Sequence, residues 1–272
     1  MNARIFTIFL CLLLSACTTE KPPVQLRAHT VEIAEGQSVV IRLNEGVVTV
    51  RGGEDGQVRV GGQTLSPDQT EYNVTTLNDQ IQIIANYTGK RSSDPPVHLE
   101  VSVPNNVALT IETDSSSIVI REYAGELEAA SISGNIFVED VHGDITLRSN
   151  RGNVEVQDSV GEISVVGNYG LLALDNAQGH IGVSTIMGNV VFSGSILMGD
   201  DVRLEADHGA VSVHLSADSA LGIQVRSTSG DVACMLPGVS STTRTCDGTF
   251  GVGDGKLFIR TVSGAVTVQS LP

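Results

Sequence analysis

The sequence contains no tryptophan, and Phe, Tyr and Trp together make up only 4% of its 272 residues. Because 41% of the chain is nevertheless apolar, the interior must be filled largely by Val, Ile and Leu, which favours a β-structured protein over a disordered one. Basic residues are also scarce, with 16 Lys and Arg against 31 Asp and Glu, a net charge of −15. This balance argues against binding to nucleic acids or anionic membranes and favours neutral, cationic or metallic partners.

Long hydrophobic runs are absent too, since no segment approaches the roughly 18 apolar residues that predict a membrane-spanning helix. The apolar run at residues 5–14 follows Arg4 and leads into Leu14-Ser15-Ala16-Cys17, an arrangement typical of an export signal. This stretch resembles the lipobox of bacterial lipoproteins. The resemblance implies that residues 1–16 are a signal peptide and that Cys17 carries a lipid anchor. Because Thr18 rather than an aspartate follows, it also implies sorting to the outer membrane of a Gram-negative bacterium. An ordinary secretory signal with an unrelated cysteine is the alternative.

Residues 17–30, with Lys21-Pro22-Pro23, predict a short extended tether between anchor and domain. Of the four cysteines, Cys11 leaves with the signal and Cys17 is taken by lipid. Cys234 and Cys246 then remain in an oxidising compartment. Two interpretations are open for them: a disulfide that closes a small loop, or a buried free thiol at Cys234.

Glycine recurs every nine residues from Gly125 to Gly188, and the second and fourth residues after each glycine are apolar. The eight pairs are Leu127/Ala129, Ile136/Val138, Ile145/Leu147, Val154/Val156, Ile163/Val165, Leu172/Leu174, Ile181/Val183 and Val190/Phe192. Each unit predicts a short strand that faces a core and then a glycine-bearing corner. The pattern loosens after Gly188 and returns at Gly209, Gly230, Gly255 and Gly264. Repetition of this kind predicts a solenoid.

Polar residues at the corners alternate between two chemistries, which lays an eighteen-residue period over the nine-residue one. We therefore predict an all-β fold, a parallel β-solenoid with two strands per coil, two sheets back to back and two different edges. The repeat is assigned to residues 116–272. Residues 31–115 also show strand patterns and are assigned to an N-terminal β segment that caps the open end, and the chain from Thr242 onward is expected to close the other end.

One corner column, the acidic edge, collects Glu122, Glu126, Glu139, Asp140, Asp144, Asp158, Glu162 and Asp175. The other, the asparagine edge, carries Ser, Thr, Arg148, Arg151 and a column formed by Asn135, Asn153 and Asn189. Because strands stack about 4.8 Å apart, we expect the asparagine side chains to form a hydrogen-bonded ladder. Stacked carboxylates instead repel one another unless water, salt or a cation intervenes. The candidate cation-binding or interaction residues are Glu122, Glu126, Asp140, Asp144, Asp158 and Glu162.

The repeat resembles the DUF4097 family of adhesin-like bacterial proteins, whose members repeat a Ser-Gly-Asp-Val-x-Val unit. The matching stretches are Ile132-Ser133-Gly134-Asn135-Ile136, Val141-His142-Gly143-Asp144-Ile145, Thr228-Ser229-Gly230-Asp231-Val232 and Thr261-Val262-Ser263-Gly264-Ala265-Val266. The resemblance covers about residues 31–271. It implies a β-solenoid on the cell envelope and brings no catalytic residues with it.

Two further function classes compete with a solvated acidic edge. Calcium-binding β-rolls also use nine-residue units, and this sequence shares that period and some corner carboxylates, so Ca²⁺ binding is the alternative function. It is not the preferred one, because the doubled glycines and regular aspartate of those proteins are missing. A polysaccharide-cleaving enzyme needs two carboxyl groups at a defined separation in a cleft, which short corners do not build. The sequence therefore favours a non-enzymatic envelope protein, anchored by lipid, that contacts a protein or glycan.

Overall fold

The structure, a computed structural model, describes residues 22–53, 56–90 and 94–271. These residues form 25 strands and a 3-10 helix at Pro67–Gln69. In chain order the strands are β1 (Val24–Gln25), β2 (His29–Glu32), β3 (Ser38–Leu43), β4 (Val47–Gly53), β5 (Gln57–Thr64), β6 (Thr70–Leu77), β7 (Gln80–Tyr87), β8 (Val97–Pro104), β9 (Leu109–Thr113), β10 (Ser117–Ala124), β11 (Leu127–Ser131), β12 (Ile136–Arg151), β13 (Val154–Gln157), β14 (Val160–Tyr169), β15 (Leu171–Asp175), β16 (Gln178–Thr185), β17 (Asn189–Gly194), β18 (Asp201–Ala206), β19 (Val211–Leu215), β20 (Leu221–Ser227), β21 (Val232–Met235), β22 (Val239–Ser241), β23 (Thr245–Phe250), β24 (Gly255–Thr261) and β25 (Val266–Ser270). None of the described segments is a helix with the length and apolarity that a bilayer crossing requires.

Segments eighteen residues apart lie side by side and run parallel. In one sheet Ile145 lies between Leu127 and Ile163. In the other sheet Ile136 lies between Ile118 and Val154. β12 passes around a corner and belongs to both sheets. The predicted all-β parallel solenoid with two strands per coil is therefore confirmed.

The apolar pair of each nine-residue unit points into the space between the two sheets. Ile145 and Ile163 are at most 1% exposed, whereas Glu128 and Glu155, which lie between the members of such pairs, are exposed. Burying a Val, Leu or Ile side chain stabilises the fold by roughly 1.5–3 kcal/mol. The repeated pairs thus form one continuous core along the rod.

Strand pairing begins inside the segment that the sequence assigns to the tether. β1 and β2 pair with β5 in antiparallel fashion, and Leu26 between them packs against the core. The edge of β5 supplies hydrogen-bond partners for this stretch, so residues 24–30 lie on the domain instead of extending freely. Cys17 and residues 1–16 lie outside the described residues.

The N-terminal coils are stacked out of chain order. β3 lies between β7 and β9, and β4 lies between β8 and β10, all in parallel pairing. Residues 38–53 therefore form a coil that is inserted between two later ones. Outside it, β5 and β6 add antiparallel strands, and His29 contacts Tyr72 across the end with ring centroids 5.7 Å apart. Parallel coils thus extend into residues 31–115, and the end is covered by β1, β2, β5 and β6.

The C-terminal end uses the same device. β24 lies between β18 and β20, and β25 lies between β19 and β21, so residues 255–270 form an internal coil. The expectation that the whole chain from Thr242 closes this end is wrong for these residues. They carry the repeated apolar pairs, which require a neighbour on both sides, whereas β22 and β23 form an antiparallel hairpin on β20 that ends the sheet.

A disulfide joins Cys234 of β21 to Cys246 of β23, with the Cα atoms 6.4 Å apart. Cys246 is buried, and Cys234 is only partly so. Of the two interpretations of these cysteines, the structure therefore has the disulfide and not a buried free thiol at Cys234. Because β21 and β23 belong to different sheets, the bond ties the two sheets together across the C-terminal end.

Glycine at the asparagine edge is required by the close approach of successive coils. A Cβ on Gly152 would lie 2.1 Å from the carbonyl oxygen of Gly134, and one on Gly170 would lie 2.5 Å from that of Gly152. Backbone therefore contacts backbone at this corner. Gly182 differs, because a Cβ there would meet nothing within 4 Å.

We expect Ile145→Asp to unfold the rod or to cost about 4 kcal/mol or more, since an unpaired charge would enter a dry core. Glu155→Asp, which places the same residue on the outer face, should change stability by less than about 0.5 kcal/mol. Urea unfolding followed by circular dichroism measures both. Equal losses would show that the inward and outward faces have been exchanged.

A second pair of variants tests the stacking of the corners. Gly152→Ala should lower the free energy of unfolding by about 2 kcal/mol or more, because the methyl group would push two coils apart. Gly182→Ala should leave stability unchanged or raise it by up to about 1 kcal/mol through a less flexible unfolded chain. Thermal unfolding of the two proteins side by side gives the comparison, and a stable Gly152→Ala protein would contradict the close contact.

Candidate functional site

The acidic edge turns through a residue with left-handed backbone conformation in each coil. Glu122, Asp140, Asp158 and Asn176 occupy this position with φ between 49° and 54°. Asp and Asn tolerate this region better than most residues because their short side chains bond locally. All four side chains are exposed, so the corner displays one polar group per coil.

A second column lies just beyond these corners. The register places Asp144 beside Glu162. Leu127 pairs with Ile145, so Glu126, which directly precedes Leu127, lies next to Asp144. The same column continues through His180, Asp201 and Lys256. Glu126, Asp144 and Glu162 therefore stand on one ridge, all exposed, as the eighteen-residue period requires.

Several acidic groups near the left-handed corners have partners. Arg121 donates to Glu139 over 2.7 Å, and Arg51 lies 3.5 Å from Glu122. Lower on the edge, Asn176 donates to Asp158 over 2.6 Å. These contacts offset part of the repulsion within the left-handed column.

The ridge itself is left without such partners. Within the described part of the chain, the carboxylates of Glu126, Asp144 and Glu162 form no hydrogen bond or ion pair. The charge of Glu126 is felt by Tyr123, whose pKa is raised first by burial and further by that carboxylate. Tyr123 is fully buried and donates its hydroxyl to the carbonyl of Val107, which makes it a structural residue.

Metal-binding geometry is not found among residues 22–53, 56–90 and 94–271, where no three His, Cys, Asp or Glu side chains converge on a common point. Ca²⁺ prefers six to eight oxygen ligands around one centre, whereas the stacked carboxylates form a column with one group per coil. Calcium binding at the acidic edge stays a prediction from the repeat.

The asparagine edge uses its polar side chains internally. Asn135 Oδ1 accepts a hydrogen bond from the backbone N–H of Asn153 over 3.0 Å, and Asn153 Oδ1 accepts one from Leu171 over 2.9 Å. The expected ladder thus forms between side chain and main chain. Ser131, at the start of the same corner, accepts from the N–H of Gly134 over 2.7 Å. Side chains of the asparagine edge thus bind the backbone of neighbouring coils, whereas the carboxylates of Glu126, Asp144 and Glu162 on the ridge have no such partner within the described chain.

A groove of about 620 Å³ lies on the outer face beside the asparagine edge. Ala130 and Val166 lie in its apolar part. Arg42 is paired with Glu112 over 2.7 Å, and Arg148 is paired with Glu128. Sequence reasoning did not predict this groove, because segments far apart in the chain, from Arg42 to Asn168, line it together.

Sequence reasoning also passed over two loops at the C-terminal end of the acidic edge, residues 195–200 and 251–254. The available signal was the loss of the nine-residue spacing after Gly188. Two strands that should be eighteen residues apart are 21 apart there, as the pairing of Ile181 with Val202 shows. An insertion in a repeat often marks a functional corner.

Comparison with solved structures finds distant likenesses. A protein from Bacteroides fragilis NCTC 9343, provisionally named an adhesin, is 10% identical, with a TM-score of 0.41 over 92% of this chain and 99% of its own. A protein from Clostridium sporogenes ATCC 15579, provisionally named a cell adhesion protein, is 11% identical, with a TM-score of 0.32 over 92% and 100%. A provisionally named lipid-binding protein from Parabacteroides distasonis ATCC 8503 is 11% identical, with a TM-score of 0.38 over 90% and 96%.

Among curated proteins, none matches this chain. The family model Toastrack DUF4097 matches residues 28–269, which run from just before β2 into β25. The chain therefore belongs to the Toastrack DUF4097 family.

Proposed function

We propose that this protein is a non-enzymatic, lipid-anchored component of the bacterial cell envelope that binds a protein or glycan partner along its acidic edge. The observation that carries the proposal is the ridge of Glu126, Asp144 and Glu162. Their carboxylates are exposed, unpaired within the described chain and repeated once per coil on a rigid scaffold. A long, regular surface of this kind suits adhesion or scaffolding.

The charge of the ridge selects the partner. Like charges stacked at about the strand spacing of 4.8 Å repel one another, and a basic surface relieves that repulsion when it binds. The net charge of −15 acts in the same direction over a longer range, since it steers cationic surfaces in and keeps polyanions away. The partner surface is accordingly basic, or neutral with hydroxyl and amide groups that replace water.

The proposed anchor places the rod close to a membrane. Cys17 would carry the lipid, and residues 18–23 would span at most about 20 Å before β1 joins the domain. Because β1 lies on the N-terminal end, that end would stand nearest the bilayer and the acidic edge would extend away from it. We propose the outer membrane of a Gram-negative bacterium as the site, on the strength of Thr18 after the lipidated cysteine.

Neutralising the ridge tests the interaction. The full-length protein with Glu126→Gln, Asp144→Asn and Glu162→Gln should bind isolated envelope fractions at least about fivefold more weakly. The reason is that removing charges from the rim of an interface lowers the association rate and makes binding less dependent on salt. Full-length wild-type protein in zwitterionic vesicles is compared by co-sedimentation at low and high salt.

The matched control removes the same charge elsewhere, with Glu32→Gln, Glu35→Gln and Glu71→Gln in the exposed N-terminal strands and turn. This control should retain binding. Loss of binding in both triple variants would mean that net charge alone acts, and retention in both would overturn the proposal.

Cys17→Ser tests the anchor. We expect the variant to lose the membrane-fraction location and the added mass of the acyl chains, because one residue bearing several chains holds a protein stably and an unmodified tether does not. Fractionation and intact-mass measurement decide the question. A variant that stays in the membrane fraction with its signal removed would show that the lipid is not the anchor.

A further inference from the structure

The acidic edge ends in two loops that touch each other. Loop 195–200 joins β17 to β18, and loop 251–254 joins β23 to β24. Both lie on the acidic edge, because Asp201 and Lys256, which follow close behind them, are paired and continue the column of Glu162 and His180. Insertions at one corner of a solenoid often lie on its binding face.

Carboxylates hold these loops in place. Asp200 accepts hydrogen bonds from the N–H of Leu197 over 2.7 Å and from that of Gly179, in the previous coil, over 3.0 Å. Asp254 of the second loop accepts from the N–H of Gly199 over 3.2 Å. The first loop is also anchored in the core, since the side chain of Ile196 is fully buried there. The two loops are therefore fixed to the rod and to each other.

What the fixed loops display is apolar. Val252 is 99% exposed, Met198 is 75% exposed and Leu197 is 36% exposed. We call these three side chains the apolar knob. Single exposed apolar residues are ordinary, but here hydrogen bonds organise adjacent loops to hold apolar side chains in water. Preorganisation of the loop backbone lowers the entropy that the loops lose on binding.

We propose that the apolar knob is the anchor of the interface, and that it enters an apolar socket on a basic protein whose surface lies along the acidic edge. This inference rests on the proposed function and names the partner more closely. Asp200 and Asp254 belong to the two loops themselves, and Asp218 accepts a hydrogen bond from Ser195 at the start of the first loop. Asp201 follows the first loop directly and is paired with Lys256. Charge complementarity thus requires a basic rim around the socket.

The negative charges near the apolar knob also argue against two other binding partners. A bilayer rich in anionic lipid would be repelled by Asp200 and Asp254, which belong to the same two loops. A second copy of the chain carries the same net charge of −15 and would also be repelled. In the interface that we propose, the acidic ridge steers the partner in, and burial of the knob slows its release.

Two peptide probes of equal length and charge separate these contributions. One alternates Lys with Leu, and the other alternates Lys with Gln. The full-length protein in zwitterionic nanodiscs should bind the Lys/Leu peptide at least about tenfold more tightly, because Leu can cover the knob. The variant Met198→Gln with Val252→Thr keeps shape and charge, and it should lose that preference. Fluorescence anisotropy gives the dissociation constants.

Met235→Gln is the matched control, since Met235 is 59% exposed on β21, outside the knob. It should keep the preference. Equal loss in this control, or an undiminished preference in the knob variant, would overturn the inference. Co-sedimentation with protein-free vesicles that depends on Met198 and Val252 would also overturn it, in favour of a lipid surface. Unchanged melting temperatures show that the variants are folded.

The ridge variant distinguishes this inference from the proposed function. With Glu126→Gln, Asp144→Asn and Glu162→Gln, both peptides should bind more weakly while the preference for Lys/Leu remains. If the ridge variant weakens both peptides and the knob variant changes nothing, the acidic edge stands as the binding surface and only the knob is rejected. If the ridge variant has no effect, the proposed function fails first.

Discussion

Parallel hydrogen bonding between coils is the constraint on which the rest of this structure depends. Each coil satisfies its backbone groups only through the coils above and below, so no coil is stable alone and every coil must follow nearly the same path. This requirement explains why apolar pairs recur at fixed positions and why Gly152 stacks directly on Gly134. It also explains the register of Glu126, Asp144 and Glu162, whose side chains are carried outward by a path that the core determines.

The same constraint creates a problem at the two ends, where a coil has one neighbour instead of two. The chain answers by placing a coil from one position in the sequence between coils from another, as Val39 shows by pairing with Ile81 on one side and Leu109 on the other. The outermost coil at each end is therefore connected along the chain to a coil that has neighbours on both sides. Antiparallel strands at one end, and a hairpin with the Cys234–Cys246 disulfide at the other, cover what remains.

The glycine period was sufficient to predict the parallel coil, the two sheets and the inward or outward direction of each side chain, because these are local consequences of a repeated path. The insertion of residues 38–53 and 255–270 into the stack could not be predicted that way. Those segments have the same strand pattern as their neighbours, and the choice of partner rests on contacts far apart in sequence, such as Val39 with Leu109. The apolar knob was missed for the same reason, since Gly199 meets Asp254 across 55 residues.

The two edges solve one turning problem with different chemistry, and the difference assigns their roles. At the asparagine edge the turn is closed by inward hydroxyls such as Ser131 and by amide oxygens such as Asn135, which are consumed by backbone N–H groups. At the acidic edge the left-handed backbone of Asp140 and Asp158 makes the turn. The buried hydroxyl of Ser159 accepts a hydrogen bond from the N–H of Val141 in the neighbouring coil, so the ridge carboxylates are not needed there. Because the carboxylates of Glu126, Asp144 and Glu162 form no hydrogen bond between coils in the described chain, these three residues can vary with little loss of stability. In the function that we propose, the surface open to selection by a partner is therefore the ridge, and the loops around Met198 extend it.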